Sequence, residues 1–388
     1  AAAAQSVLPP YDDAKAEALV SRIADFILDA DVTSDVAQRY DRATNPLNAS
    51  IFINGNLARV LVGSYKLSGN LTHRDAGLAW CEAFTKEQAT GPEIDGGFWG
   101  AGYGPGPGVD GNLYLGDTGT AATALAQCAW VATSDEQKNR FVDALENYAA
   151  FVRGGCTSAG CGNPDRGVDA ATDGFLDDAT GAVGCGYYQG HLSAACPYII
   201  ATATTGAAFF AELSALTGAG NATAEAAVRY VASLMAVNGS FPYRIDCDAD
   251  DWTSWPFDTM TYATEGAVAA YLHLPDLRSF VLEAFRPAAD SLLSSQNEDG
   301  SWGAAGSQDQ QRSPRVATLL TLYAVATGEA SYAAALGKFL GFLETPAAAS
   351  SSYGLFDLLN TSGFVGLALL DMLDFGVTFG GAPTRSDA

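Results

Sequence analysis

The chain has 388 residues, 48% of them hydrophobic, with 20 basic against 44 acidic side chains and a formal charge of −24. That acidity excludes nucleic acid and anionic membrane surfaces as partners, and weighs against a polyanionic substrate unless basic side chains gather at the site. The apolar share supplies a large core, and no apolar run reaches the roughly 18–20 residues of a membrane span without Gly, polar or charged interruption.

Residues 1–10, AAAAQSVLPP, read as a disordered or processed start outside the fold. Beyond them the chain repeats itself. An apolar helix, a short turn and a second, Ala-rich and aromatic helix recur, as in VLVGSYKLSGNLTHRDAGLAW and TLYAVATGEASYAAALGKFL. The turns centre on Gly69, Ser134, Gly218, Pro275 and Gly328, and glycine after a helix accepts the left-handed conformation that ends it. Helices before the turns are apolar nearly all round and are predicted to be buried; those after carry charge on one face and are predicted to lie outside. In chain order, outer and inner helices alternate at 13–30, 51–68, 71–88, 117–133, 135–153, 197–217, 221–236, 258–273, 277–295, 313–327, 330–344 and 360–376. Six inner and six outer helices predict an all-α fold: one (α/α)6 toroid over 11–378, followed by a tail at 379–388.

The turns from inner to outer helices are short. The returns, near 31–50, 89–116, 154–196, 237–257, 296–312 and 345–359, are long and gather on one face, where function is expected. They share a refrain of glycine before an aromatic: Asp-Gly-Gly-Phe-Trp-Gly at 95–100, Gly-Ser-Phe-Pro-Tyr at 239–243, Asp-Gly-Ser-Trp-Gly at 299–303 and Ser-Tyr-Gly-Leu-Phe at 352–356.

Seven cysteines and five Asn-x-Ser/Thr sequons, at Asn48, Asn70, Asn221, Asn238 and Asn360, point to a secreted, extracellular, N-glycosylated chain, expected to be a monomer. Cys156, Cys161, Cys185 and Cys196 share one long loop and are expected to form two disulfides; Cys81 and Cys128 are buried thiols or a bridge, and Cys247 is left over. Without paired C-x-x-C spacing and with three histidines, no metal cofactor is expected. Acids in the 163–178 loop could wrap a structural calcium ion, although their spacing is not that of an EF-hand.

The stretch Ser291 to Gly303, SLLSSQNEDGSWG, resembles the Gln-Trp repeat of the terpene cyclases and related α/α-toroid proteins. The resemblance implies that Gln296 and Trp302 tie helix ends together. Asp248-Ala-Asp250-Asp251 matches the acid motif of the class II cyclases, but four residues in an acidic loop recur by chance, and the second helical domain that those proteins use is not expected beside the one toroid read here. Similar toroids occur in secreted glycoside hydrolases and polysaccharide lyases, which fit the cysteines and sequons better.

The densest chemistry lies in 238–272, where a loop of acids and aromatics feeds an apolar helix. A glycoside hydrolase needs one protonated and one ionised carboxyl group across the scissile bond. The catalytic candidates are Asp117, Asp251, Asp258, Tyr262 and Glu265. Asp117 and Asp258 also suit helix N-caps. Glu265, alone in an apolar helix, is either paired in the core or faces the cavity, where burial would raise its pKa toward that of a general acid. Residues 258, 262 and 265 share one helix face. Trp99, Trp252, Trp255 and Trp302 offer stacking surfaces for sugars, and Tyr103, His191, Tyr243, Arg244 and Arg315 are further binding candidates. The expected function is cleavage of glycosidic bonds in a poly- or oligosaccharide by hydrolysis. A lyase acting by β-elimination on a uronate polymer, with a Tyr or His base and an Arg neutralising the carboxylate, is the alternative. A non-catalytic toroid binding glycans or proteins is the third.

Overall fold

The computed structural model describes residues 13–29, 51–86, 88–89, 95–98, 113–154, 175–188, 191–197, 199–242 and 256–381, with the backbone alone at 185, 187–188 and 191–197. The helices are α1 (Asp13–Asp29), α2 (Ile51–Ser68), α3 (Leu71–Lys86), α4 (Leu115–Trp130), α5 (Asp135–Gly154) and α6 (Ile199–Thr217). They continue with α7 (Asn221–Ser233), α8 (Pro256–His273), α9 (275–295), α10 (308–327), α11 (Ala330–Leu343) and α12 (Leu359–Leu373). The even-numbered helices α2, α4, α6, α8, α10 and α12 pack in sequence, and α12 returns to α2, so the inner ring closes. This is the (α/α)6 toroid that the alternation of apolar and amphipathic helices predicts.

Burial explains the composition of the rings. Every residue of α12 is buried, as is nearly all of α2 and α4, whereas α1, α5 and α7 bury one stripe. Helix α6 is long and apolar enough to cross a membrane, with mean hydropathy 1.5, yet its surface is covered by its neighbours in the ring. Its stretch Thr202–Phe209 widens into a π-helix, and there Thr204 donates to Gly116 O at the start of α4. Gly69, Gly218 and Gly328 end α2, α6 and α10 with φ of +72°, +80° and +72°. Cys81 of α3 and Cys128 of α4 form a disulfide between the two rings.

The long returns are pinned by one repeated clamp. Gln296 donates from Nε2 to Gly300 O and to Ala335 O on α11, both at 2.9 Å, and Gln88 does the same to Gly96 O and to Ala144 O on α5, both at 2.8 Å. Each clamp holds its glycine against the next outer helix in the left-handed region, at +98° for Gly300 and +87° for Gly96. Aromatics of the refrain are packed inward: Phe98, Phe241, Trp302 and Tyr353 are buried, while Phe356 is partly buried. Trp302 gives its indole N–H to Leu292 O at 2.9 Å. The tie between helix ends implied by the Gln-Trp resemblance is therefore present.

A small antiparallel sheet, absent from the sequence reading, forms between the second and third hairpins. Its order is β1 (Leu113–Tyr114), β2 (Gly184–Tyr188) and β3 (His191–Pro197). Cys185 and Cys196 sit on its adjacent strands beside the Gly184–Pro197 pair; their side chains, and Cys156, Cys161 and Cys247, lie outside the described residues. The segment after α12 also belongs to the toroid rather than to a tail at 379, because Phe379 is fully buried.

A Cβ at residue 300 would stand 2.3 Å from Lys338 O, in a backbone conformation costly for any L side chain. Gly300→Ala is expected to lower unfolding free energy by more than about 1 kcal/mol, read by urea denaturation, whereas the open turn glycine Gly328 should tolerate alanine better.

Candidate active site at the mouth of the toroid

Two clusters of polar side chains lie along the axis, and they differ in whether their needs are met. The deeper one is closed. Glu265 of α8 accepts from Arg59 Nη2 at 2.8 Å and from Arg315 Nε at 2.5 Å. Arg315 also reaches Asp371 at 2.6 Å and Thr378 Oγ1 at 2.8 Å, and the Thr378 hydroxyl donates on to Asp371. Burial works to raise the Glu265 pKa, but the two guanidinium groups overcome it and hold the carboxyl down at about 2. The expectation that burial raises this pKa into the general-acid range is thus corrected: Glu265 is an ionised member of a paired network. Arg315, a binding candidate from sequence, is fully buried in the same network, and Trp302, placed among the stacking surfaces, is buried in the clamp described above.

The cluster nearer the long-loop face is built on the first turns of the inner helices. Asp258 is the third residue of α8, not its cap. The capping group comes from another hairpin: Asp309 of α10 accepts through Oδ1 from the N–H groups of Phe257, at 3.0 Å, and Asp258, at 2.8 Å. Asp258 Oδ2 in turn receives Arg312 Nη1 at 3.1 Å, while its Oδ1 is buried without a hydrogen-bond partner. Asp117 likewise falls inside the first turn of α4, whose N-cap position is Tyr114. Burial lowers the basicity of Arg312, but Asp258, Tyr262 and Asp117 more than restore it, so three of the sequence candidates converge on one guanidinium.

Electrostatics set two carboxyl groups apart here. Burial pushes Asp309 up to about 6; the two N–H groups that it caps act against this, and the Asp258 carboxylate adds to it. Asp258 is also raised by burial, with Arg312 opposing. Asp309 went unnoticed in the sequence, where SQDQQR reads as a polar loop, and only its capping of a distant helix makes it part of this site. Aromatic faces border the group. Arg312 lies 5.6 Å over the Phe52 ring, and Phe364 stands 6.4 Å from both Phe52 and Tyr262.

The remaining candidates are not placed. Trp99, Tyr103, Tyr243, Arg244, Asp251, Trp252 and Trp255 lie outside the described residues, as does most of the 163–178 loop, and for His191 only the backbone at the start of β3 is described. Among the described residues no three of His, Cys, Asp and Glu gather as a metal site.

This closed double ring of helices, with its polar cluster at the inner-helix N-termini, places the chain among the α/α toroids. No family model and no curated protein matches its sequence. Solved structures do match over nearly the whole chain. An α-1,6-mannanase of Salegentibacter sp. HEL1_6, an inactive variant with two aspartates changed to asparagine and bound to α-1,6-mannotriose, aligns with TM-score 0.60 at 12% identity, covering 93% of this chain and 99% of that one. The cellobiose 2-epimerase of Spirochaeta thermophila aligns with TM-score 0.60 at 12% identity, covering 94% and 99%. A polysaccharide lyase aligns with TM-score 0.55 at 12% identity, covering 92% and 98%.

Removing the charge of Glu265 takes the carboxylate from Arg59 and leaves Arg315 with Asp371 alone. Glu265→Gln is expected to cost about 3–5 kcal/mol, measured by denaturant unfolding. Because the folded pKa of Glu265 is depressed from 4.5 to about 2, its contribution is full above pH 4.5 and lost as the pH falls through that window. Acid titration should show this loss in the parent and not in the variant.

Proposed function

We propose that the protein is a carbohydrate-active enzyme that hydrolyses glycosidic bonds, with Asp309 as general acid and Asp258 as its ionised partner. The observation that carries this reading is the pair itself: two carboxyl groups at inner-helix starts, both raised by burial, Asp309 to about 6, with Asp258 in a direct ion pair with Arg312. Asp309 uses Oδ1 to cap α8, which leaves the other oxygen to hold the proton. That proton passes to the leaving sugar oxygen as the anomeric C–O bond breaks. Asp258 takes a proton from the incoming water as its hydroxyl joins the anomeric carbon, and exchange with solvent then removes that proton from Asp258 and returns one to Asp309. Asp117 and Tyr262 act electrostatically on the same guanidinium and serve as further contacts to the substrate.

The lyase reading needs a cation able to neutralise a uronate. Arg315 is spent in the core and Arg312 faces Asp258, so the described residues favour hydrolysis. The reading extends to a secreted monomer: Asn70, Asn221 and Asn238 are exposed and suit N-glycans, whereas Asn360, at 8% exposure inside the toroid, does not. No metal takes part in the proposed step.

Incubation with a panel of neutral and uronate oligosaccharides, read by mass spectrometry and ultraviolet absorbance, tests the reading. Products that sum to substrate plus water support it; an unsaturated, absorbing end would refute it. Asp309→Asn keeps an oxygen for both backbone N–H groups, so it should melt close to the parent while losing about 10²–10⁴-fold in kcat. Activity of the parent should fall as the pH rises through about 6, where Asp309 gives up its proton.

A further inference from the structure

Three inner helices bring an aromatic and a polar side chain to the same place at a spacing of four residues. They are Phe52 and Asn56 on α2, Asp258 and Tyr262 on α8, and Asn360 and Phe364 on α12. The aromatics meet: Phe364 lies 6.4 Å from both Phe52 and Tyr262. The two asparagine-bearing helices also meet closely, since a Cβ at Gly363 would stand 3.5 Å from Asn56 Cβ. Each polar member keeps an unmet atom. Asn56 Nδ2, Asp258 Oδ1 and Asn360 Oδ1 are buried and have no hydrogen-bond partner, although Asn56, Asp258 and Asn360 are only 2%, 4% and 8% exposed.

Leaving a buried polar atom unpaired costs free energy, and most folded proteins avoid it. In the deeper network of the same toroid the charged groups find partners, although Gln127 Oε1 and Thr264 Oγ1 are also buried without one; what sets the mouth side apart is that its unmet atoms lie beside aromatic rings. Their chemistry is specific: an amide donor, an amide acceptor and a carboxylate acceptor, set beside the faces and edges of three aromatic rings. A pyranose ring presents that complement, with hydroxyl groups that both donate and accept and C–H faces that pack on aromatics. Asn56 and Asn360 are neutral and Asp258 is acidic, and the bordering cation, Arg312, gives Nη1 to Asp258.

We infer that Asn56 and Asn360, with Phe52, Phe364 and Tyr262, form the subsite that reads the hydroxyl groups of a neutral sugar unit next to Asp258. This rests on the hydrolase reading for the identity of the neighbouring chemistry, and it adds the class of substrate: an uncharged pyranoside rather than a uronate. The sequon at Asn360 is on this view a coincidence of sequence, and its side chain is kept for the ligand.

The test measures binding apart from turnover. Mannotriose, cellotriose and trigalacturonate are titrated by calorimetry into Asp309→Asn protein, with and without Asn360→Leu. At least one neutral trisaccharide should bind and the uronate should not. Asn360→Leu should weaken binding by about threefold to tenfold without lowering the melting temperature, because it removes an unmet acceptor instead of a bond. Should that variant fail to fold, Asn56→Leu asks the same question. A lower melting temperature with unchanged affinity would make Asn360 structural and overturn the subsite, as would trigalacturonate binding as tightly as the neutral sugars or no binding by any neutral trisaccharide. Asparagine-dependent binding by a parent that never hydrolyses would instead sink the hydrolase reading and leave the subsite standing.

Discussion

The closed ring depends on the charge network around Glu265. Arg59, Glu265, Arg315 and Asp371 come from four of the six inner helices, and all four are nearly or wholly removed from water. Taking such groups out of solvent is expensive, and the cost is offset only when every donor and acceptor is matched. The segment after α12 supplies the missing matches. Thr378 bridges Arg315 and Asp371, its carbonyl oxygen accepts from Arg59, and Val377 O accepts from Lys66 and Gln127. Gly380 N–H donates to Glu212, which also meets His273. Three cations, Arg59, Lys66 and Arg315, thus stand with three carboxylates, Glu212, Glu265 and Asp371, around a strand of backbone that none of the helices could provide. Burial still brings Lys66 down to about 8, a sign of how dry this floor is.

That floor gives the opposite end of the axis its freedom. A ring held together by paired charges at its base does not need the first turns of its inner helices for cohesion. Those turns can then carry groups whose hydrogen-bonding is incomplete. Helix α8 shows both regimes on one face: Glu265 is held at about 2 by two guanidinium groups, while Asp258, two turns earlier, is raised by burial with one arginine opposing. The same residue class on the same helix is doubly paired at one depth and only half paired at another, and the difference lies in the partners brought by other helices.

Much of the fold was legible in the sequence because it follows from local chemistry. Glycines at 69, 218 and 328 mark turns that only a left-handed residue closes well, and all-round apolarity marks the inner ring. Half of the site was legible for the same reason: Asp258 and Tyr262 share a helix face that periodicity reveals. Asp309 and Arg312 were not, because their roles come from contacts with residues about fifty positions away, Asp309 with Phe257 and Asp258 and Arg312 with Asp258, and nothing local in SQDQQR signals a trans-acting cap. Glu265 was read with its alternatives open and its pKa in the wrong direction, since burial was visible from the sequence and two arginines from α2 and α10 were not. The refrain of glycine and aromatic was visible too, but Trp302 illustrates its limit: a tryptophan on a loop over a cavity can be the anchor of that loop, and the indole bond to Leu292 shows that it is.

The anchors bear on how such a scaffold can carry chemistry. A long loop over a cavity is free to wander unless its root is fixed, and a reacting group must be held within fractions of an ångström. Here the roots of two returns are fixed by the Gln88 and Gln296 clamps, whose bonds run to outer-helix backbone and do not depend on neighbouring side chains. Asp309 follows the second clamp by a few residues, and its cap on α8 joins that return to the helix bearing Asp258. The cap constrains both partners: it orients Asp309 by two backbone N–H groups, and it fixes the carboxylate beside Asp258, whose charge helps keep the proton on Asp309. One hydrogen-bonded contact between hairpins therefore sets geometry and protonation together, which is the coupling that a pair of acids needs in order to divide the roles of donor and partner.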